Sequence, residues 1–236
     1  NPGQLPSPED PESSYNGLLE AKKTGKTRFI GLTNHKYNLA MEAIKSNLYD
    51  TIQYPLSFLS TEKEFGMAKV CEHRDIGLIA MKALAGGLIT NAASSFAYLR
   101  QYKNIVPIWG IEFEWQLDEF IAFEKNPPLL DESLKEIIKK DRAELSGSFC
   151  RGCGYCLPCP QGIPISMAAR MTFLAARSPY SRFINEEWRE KMELINECTE
   201  CNQCKEKCPY ELNIPKLLKQ MLAEYRSLYD KHKENI

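Results

Sequence analysis

Eight of the chain's nine cysteines stand in two short runs near its C-terminus. Cys150, Cys153, Cys156 and Cys159 precede Pro160, and Cys198, Cys201, Cys204 and Cys208 precede Pro209. Written as spacing they read C-x2-C-x2-C-x2-C-P and C-x2-C-x2-C-x3-C-P. Thiols so crowded dictate what surrounds them, because each run must wrap around something that accepts several thiolates at once. Three cysteines at steps of three can wrap one four-iron cube, since a tight loop or helical turn brings successive side chains inward. The fourth thiolate must arrive from elsewhere. Runs of this kind hold [4Fe–4S] clusters, and two runs imply two clusters and the movement of electrons.

In two-cluster ferredoxins the cysteine before the proline ligates the other cluster. Applied to these residues, that rule gives cluster I the ligands Cys150, Cys153, Cys156 and Cys208. Cluster II takes Cys198, Cys201, Cys204 and Cys159. The proline ends each ligand loop and holds the last cysteine on a restricted backbone. The runs also form an internal repeat. Ile163-Pro164 follows the first and Ile214-Pro215 the second, and each opens a helix-like segment, Ser166 to Ala176 and Lys216 to Tyr229. Proline suits the first position of a helix.

Zinc and disulfides are the rival readings. Structural zinc takes four ligands in a closed tetrahedron, usually from two separate C-x2-C knuckles. Disulfides belong to oxidising compartments, and no signal peptide or long apolar segment points to one. The first run has two residues before its last cysteine where three are usual. A displaced Cys159 would put cluster II in doubt. Cys71, the ninth cysteine, reads as a buried helix thiol.

The 236 residues suffice for one large or two modest domains, and 43% hydrophobic content supplies a core. A formal net charge of −1 favours neither a nucleic-acid nor a membrane-surface partner. No stretch approaches the roughly 20 apolar residues of a membrane span. The compartment expected from these features is a reducing, oxygen-poor cytoplasm. The segment from Asn1 to Pro11 is proline-rich and reads as a mobile loop. It begins without methionine, which leads to the expectation of a C-terminal part of a longer protein.

From residue 12 strands and helices alternate. Helices are expected over Tyr15 to Lys23, Asn38 to Ser46, Thr61 to His73 (capped by Thr61 or Ser60), Asn91 to Tyr102 and Glu114 to Phe123. Strands are expected over Arg28 to Thr33, Thr51 to Tyr54, Gly77 to Met81 and Ile105 to Trp109. Such alternation argues for a parallel sheet of about four βα units. A closed (β/α)8 barrel typically takes about 250 residues. Four units therefore make either a small open α/β domain or half a barrel lacking about four preceding units, with two raw edges.

The segments Arg28-Phe29-Ile30-Gly31-Leu32-Thr33-Asn34-His35, Ile52-Gln53-Tyr54, Leu78 to Gly87 and Val106-Pro107-Ile108-Trp109-Gly110 resemble the fifth to eighth barrel strands of an aldo/keto reductase. With the cysteine runs, the resemblance is to reductase-like proteins carrying a C-terminal ferredoxin-type extension. It covers roughly residues 12 to 215. The resemblance implies a nicotinamide dinucleotide at the C-terminal ends of the strands. Thr33, Asn34 and Gln53 would contact the carboxamide. Lys82, Leu84, Gly86 and Gly87 would lie near the pyrophosphate, and Trp109 and Gly110 on the adenosine side. For Gln53 and Trp109, ordinary packing is an equal reading. Met81 stands where many members place an aromatic ring. The loop from Ile111 to Glu119 has carboxylates and no Lys or Arg, which favours NAD(H) over NADP(H). The family's catalytic tetrad comes from the first half of its barrel, and nothing in this chain matches it, so no catalytic residue is assigned. His35, alone on a loop, reads as a surface residue.

These readings combine into an α/β plus α architecture. Residues 1–126 form a partial aldo/keto reductase-like (β/α)8 TIM barrel, 127–149 a connector helix, and 150–236 a helical two-[4Fe–4S] ferredoxin domain. The expected function is an iron–sulfur oxidoreductase coupling electron transfer through two clusters to NAD(P)-linked chemistry on a small-molecule substrate. Hydride carries two electrons and each cluster one, so an intermediary is required, either a redox partner protein or a small electron carrier. The alternative is an electron-transfer module whose barrel is a docking scaffold without turnover. Raw barrel edges also suit an oligomer.

Overall fold

The computed structural model describes residues 4–145 and 149–232. The first three residues of the proline-rich segment, residues 146–148 of the expected connector and the last four residues lie outside the described residues. The chain divides into two compact units. One holds residues 1–83 and 91–138, the other residues 84–90 and 139–236.

The first unit is built on four strands, β1 Gly31–Thr33, β2 Thr51–Pro55, β3 Gly77–Met81 and β4 Ile105–Pro107. They pair in parallel in the order β1-β2-β3-β4. Helices α1 Ser14–Lys23, α2 Tyr37–Ser46, α3 Glu62–His73, α4 Ala92–Leu99 and α5 Glu114–Lys125 alternate with them. The expected four βα units are present, with β1 and β4 at the ends of the sheet. The outer strands are shorter than the sequence suggests. Arg28 and Phe29 stay outside β1, and Ile108 and Trp109 outside β4. An end strand has a partner on one side only, so its ladder stops where that partner stops. Phe29, before β1, and Val106, within β4 at the sheet's end, are exposed at 61% and 62%.

Ile52, Leu78 and Ala80 on the central strands are fully buried, and Ala40, Ala43, Ile44, Met67 and Cys71 on α2 and α3 close over them. Cys71 is the buried helix thiol expected, and burial pushes its pKa up to about 11. Asp50 ties the start of the sheet together. It accepts from Lys22 at 2.7 Å and from the Ile30 amide at 2.8 Å, and these bonds, led by the Lys22 one, hold its carboxyl below the usual range.

Helix α3 begins at a capping box. Thr61 Oγ1 accepts from the Glu64 amide, while Glu64 Oε2 accepts from the Thr61 amide at 2.8 Å. The other Glu64 oxygen accepts from the buried Tyr54 hydroxyl at 3.0 Å. One carboxylate thus satisfies a helix end and a core phenol together.

The second unit is helical among its described residues. It contains the end of α6 Glu132–Glu144, then α7 Ile165–Ala168, α8 Met171–Arg177, α9 Glu186–Glu193, α10 Gln203–Lys207 and α11 Ile214–His232, together with the segment Leu84–Thr90. Helix α11 is the spine, with α7, α8, α9 and α10 packed on it. Its Leu218, Met221 and Tyr225 are buried against Ile165, Met171 and Ile184 of the same unit. The Tyr225 hydroxyl donates to the Phe183 carbonyl at 3.0 Å. The sequence suggests one helical segment from Ser166 to Ala176. The structure breaks it between Ala168 and Met171, where Arg170 has φ −144°. The break turns the Arg170 side chain toward the cysteine loops.

Replacing Glu64 by Ala strands a buried phenol and uncaps α3. It is expected to cost about 1–3 kcal/mol, read as a lower urea midpoint. Glu64→Gln, which keeps an acceptor, should lose less.

Candidate metal centre

The cysteine loops are shaped by backbone that turns back on itself. Gly152, Gly154 and Gly162 have φ of 60°, 79° and 70°. In the second run Glu200 and Asn202 flank Cys201 with φ of 53° and 60°. Left-handed backbone at non-glycine residues costs about 1–2 kcal/mol each, so this tight wrapping is held by its surroundings. At Gly152 the requirement is double, because a Cβ there would also lie 2.8 Å from the Arg170 guanidinium carbon.

The structure brings the two runs together in a crossed fashion. A hollow of about 410 Å³, counting its open mouth, is lined by Cys198, Cys201 and Cys204 of the second run and by Cys159 and Cys156 of the first. Ile163, Ile165 and Leu218 supply its apolar wall. Cys159, whose short spacing put it in doubt, therefore stands with the second run. On the other side Cys150 lies within electrostatic reach of Cys153 and of Cys208, the last cysteine of the second run. Cys156 senses Cys150, Cys153 and also Cys204, so the two thiol groups are neighbours.

Electrostatics show what these groups want. Burial first, and then the neighbouring cysteines, push the Cys156 thiol up to about 12. Burial also raises Cys150 and Cys204. Thiols in this state keep their protons at neutral pH unless a metal cation replaces them. Among the described residues no three His, Cys, Asp or Glu side chains close around a single ion. A lone zinc needs four ligands at about 2.0–2.3 Å from one point, whereas a cube of four irons holds its thiolates much further apart. The donor set, all sulfur and not closed around any single ion, fits [4Fe–4S] clusters. Polar hydrogens are already aimed at sulfur, as the Gly152 amide donates to Cys150 Sγ at 3.4 Å.

In the first unit, Thr33 ends β1 and is in register with Gln53. The Asn34 amide donates to the Gln53 carbonyl at 3.0 Å, and Asn34 Oδ1 accepts from the Lys36 amide. Gln53 Nε2 points to Met81 Sδ at 3.7 Å. Lys82 follows β3 with φ 57°. Thr33 thus ends β1, Asn34 and Lys82 follow β1 and β3, and Gln53 lies mid-strand in β2, two residues short of its C-terminal end. Trp109 is a packing residue here, stacked on Phe120 at 4.6 Å and on Phe96 at 5.8 Å between ring centres. Gly110 follows it, exposed. Leu84, Gly86 and Gly87 fall in the second unit, where the Gly86 carbonyl accepts from Arg170 at 3.0 Å. Sequence reading did not single out Arg170; a lone arginine among apolar helix residues gives no signal.

His35 corrects its expectation. It is 9% exposed, not a surface residue. Only three residues join β1 to α2, too few to carry the middle one away from the sheet. Burial, with Lys82 adding to it, depresses its pKa to about 4.

A helical unit that brings two runs of four cysteines together, carried with a parallel α/β unit, defines an iron–sulfur protein of the oxidoreductase type. Residues 149–213 match the model described as a 4Fe-4S dicluster domain. Residues 5–95 match the Aldo/keto reductase family. The chain thus joins an aldo/keto reductase domain, whose parallel strands represent part of a TIM barrel, to a 4Fe–4S dicluster domain. Trp109 and Gly110 lie beyond the reductase match. No curated protein matches the chain. Among the described residues no helix is long and apolar enough to cross a membrane.

The pH behaviour of His35 follows from its burial. Unfolded chains protonate histidine near 6.5, while the folded site resists protonation until about 4. Its contribution is complete above the unfolded value and is lost as pH falls from about 6.5 towards 4. Urea midpoints should drop between pH 7 and pH 5 in the wild type, and drop less in His35→Gln.

Proposed function

We propose that the chain is the electron-carrying part of an NAD-linked oxidoreductase, holding two [4Fe–4S] clusters with ligands exchanged between the runs. Cys150, Cys153, Cys156 and Cys208 hold one cluster, and Cys198, Cys201, Cys204 and Cys159 the other. The observation that carries this reading is the hollow in which Cys159 joins the three leading cysteines of the second run. Bound clusters supply one-electron transfer. The protein's part is to hold them as neighbours, to shield the Cys150 and Cys156 side in the core, and to leave Cys201, the one exposed cysteine of the eight, toward a redox partner protein or small carrier.

For the α/β unit we infer a nicotinamide dinucleotide at Thr33, Asn34, Gln53 and Lys82, with NAD(H) preferred. The loop before α5 supports the preference. Glu112 in that loop and Glu114 and Asp118 in the first turns of α5 are exposed, Glu119 is half-buried, and the Gln116 side chain already accepts from the Glu112 and Phe113 amides at 2.7 and 3.0 Å. A 2′-phosphate would find carboxylates and occupied donors where it needs arginine and free amides. Domain bounds near 1–126, 127–149 and 150–236 remain the working division for such tests.

Anaerobically purified protein is expected to contain about eight iron and eight sulfide per chain, with broad absorbance in the visible. Stoichiometric zinc in colourless protein would overturn the cluster reading. Cys159→Ala should remove the cluster of the second run, although its other three ligands lie some 40 residues later. Loss of the other cluster instead would refute the exchange.

Calorimetric titration of the full protein with both dinucleotides should show NADH binding at least tenfold more tightly than NADPH, about 1.4 kcal/mol. Tighter NADPH binding would mean that the acidic loop does not face the ribose. Binding of neither would favour the scaffold without turnover.

A further inference from the structure

Arg170 is the one cation built into the inner side of the cysteine loops with all its bonds made to neutral groups. Its Nε donates to the Ser166 carbonyl at 3.1 Å and one terminal nitrogen to the Gly86 carbonyl at 3.0 Å. The other terminal nitrogen lies 3.7 Å from Met167 Sδ. The guanidinium covers Gly152, whose missing side chain makes room for it, and lies within electrostatic reach of Cys150. Among the described residues no carboxylate forms an ion pair with it. Arg151, next to Cys150 in sequence, is turned instead over the Tyr210 ring at 4.4 Å.

A half-buried guanidinium without an anion is costly in a folded protein. This one is held by the helix break between α7 and α8 and by two glycines, Gly86 and Gly152, where a Cβ would collide with it. What it faces is the Cys150 side of the thiol group formed by Cys150, Cys153, Cys156 and Cys208. A [4Fe–4S] cluster with four thiolates is a net anion, and reduction by one electron makes it more negative. A fixed positive charge beside it stabilises the reduced form more than the oxidised form.

We propose that Arg170 is the countercharge of the cluster bound by Cys150, Cys153, Cys156 and Cys208, and that it raises the reduction potential of that cluster above that of its neighbour. The difference orders the pair: the electron rests on the Cys150 side, and the Cys201 side serves as the exchange point with solvent and partner. Gly152 and Gly86 are then specificity-determining in the steric sense, since only their lack of a side chain lets the cation approach. This inference rests on the two-cluster reading.

The test is redox titration of the intact, anaerobically purified protein, with dithionite as reductant and dye mediators, followed by electron paramagnetic resonance. Iron and sulfide are assayed on every sample. In Arg170→Gln the cluster of the Cys150 side should become harder to reduce by at least a factor of ten at a fixed potential, equivalent to about 59 mV for one electron. The other cluster should move much less. Arg170→Lys, which keeps the charge but not the hydrogen-bond fork, should restore most of the difference. An unchanged potential in fully loaded Arg170→Gln overturns the proposal, as does an Arg170→Lys that behaves like Arg170→Gln. Loss of iron from Arg170→Gln with normal loading of Arg170→Lys supports it, because charge alone then decides. Loss of iron from both variants overturns it in favour of a purely positional arginine. Wild-type protein without clusters would instead refute the reading on which the inference stands.

Discussion

Mutual repulsion among thiolates, and the cost of burying them, is the constraint that the second unit is organised around. Cys156 sits at about 12 because burial and its cysteine neighbours all oppose its ionisation. A fold gains nothing from gathering such groups for their own sake. It gains only when cations take the protons' place, and then the same crowding becomes a strong and selective binding site. The left-handed residues at Glu200 and Asn202, the glycines of the first loop and the break before α8 all serve that gathering. Each is locally unfavourable, and the spine helix Ile214–His232, with its buried Leu218, Met221 and Tyr225, supplies the packing that holds them.

The α/β unit solves a different problem. Its central strands bury one face under helices, with Ile52, Tyr54, Leu78 and Ala80 on it, while Gln53 and Ile79 on the other face are only half-buried, and Phe29 and Val106 at the sheet's ends are exposed. The polar residues Thr33, Asn34 and Lys82 stand at the strand ends, and Gln53 mid-strand, away from the apolar core of Ile52, Leu78 and Ala80.

Much of this was legible in the residues. The cysteine spacing specified the sulfur donors and their grouping, since three-residue steps dictate which side chains can share a centre. Strand and helix alternation read correctly through β2 and β3, and through α3, whose expected cap Thr61 stands at its start. Legibility failed where partners decide. Arg28 and Trp109 are as strand-like as their neighbours, but a ladder ends with the adjacent strand. His35 is a polar residue on a short loop, and only the length of the β1–α2 connection buries it.

By itself the sequence determined the metal chemistry and the class of each unit, because local spacing and periodicity are properties of the chain alone. The exchange of last cysteines was an expectation from the run pattern, with Cys159 in doubt for its short spacing; the tertiary structure shows where Cys159 stands. Cys159 lines one hollow with Cys198, Cys201 and Cys204, and α7 and α10 pack on α11 around it, a placement that depends on contacts between residues distant in sequence. The same holds for Arg170. Its type is written in the sequence, but its place beside Gly152 and Cys150 depends on a helix break and on two absent side chains, which exist only once the loops have folded.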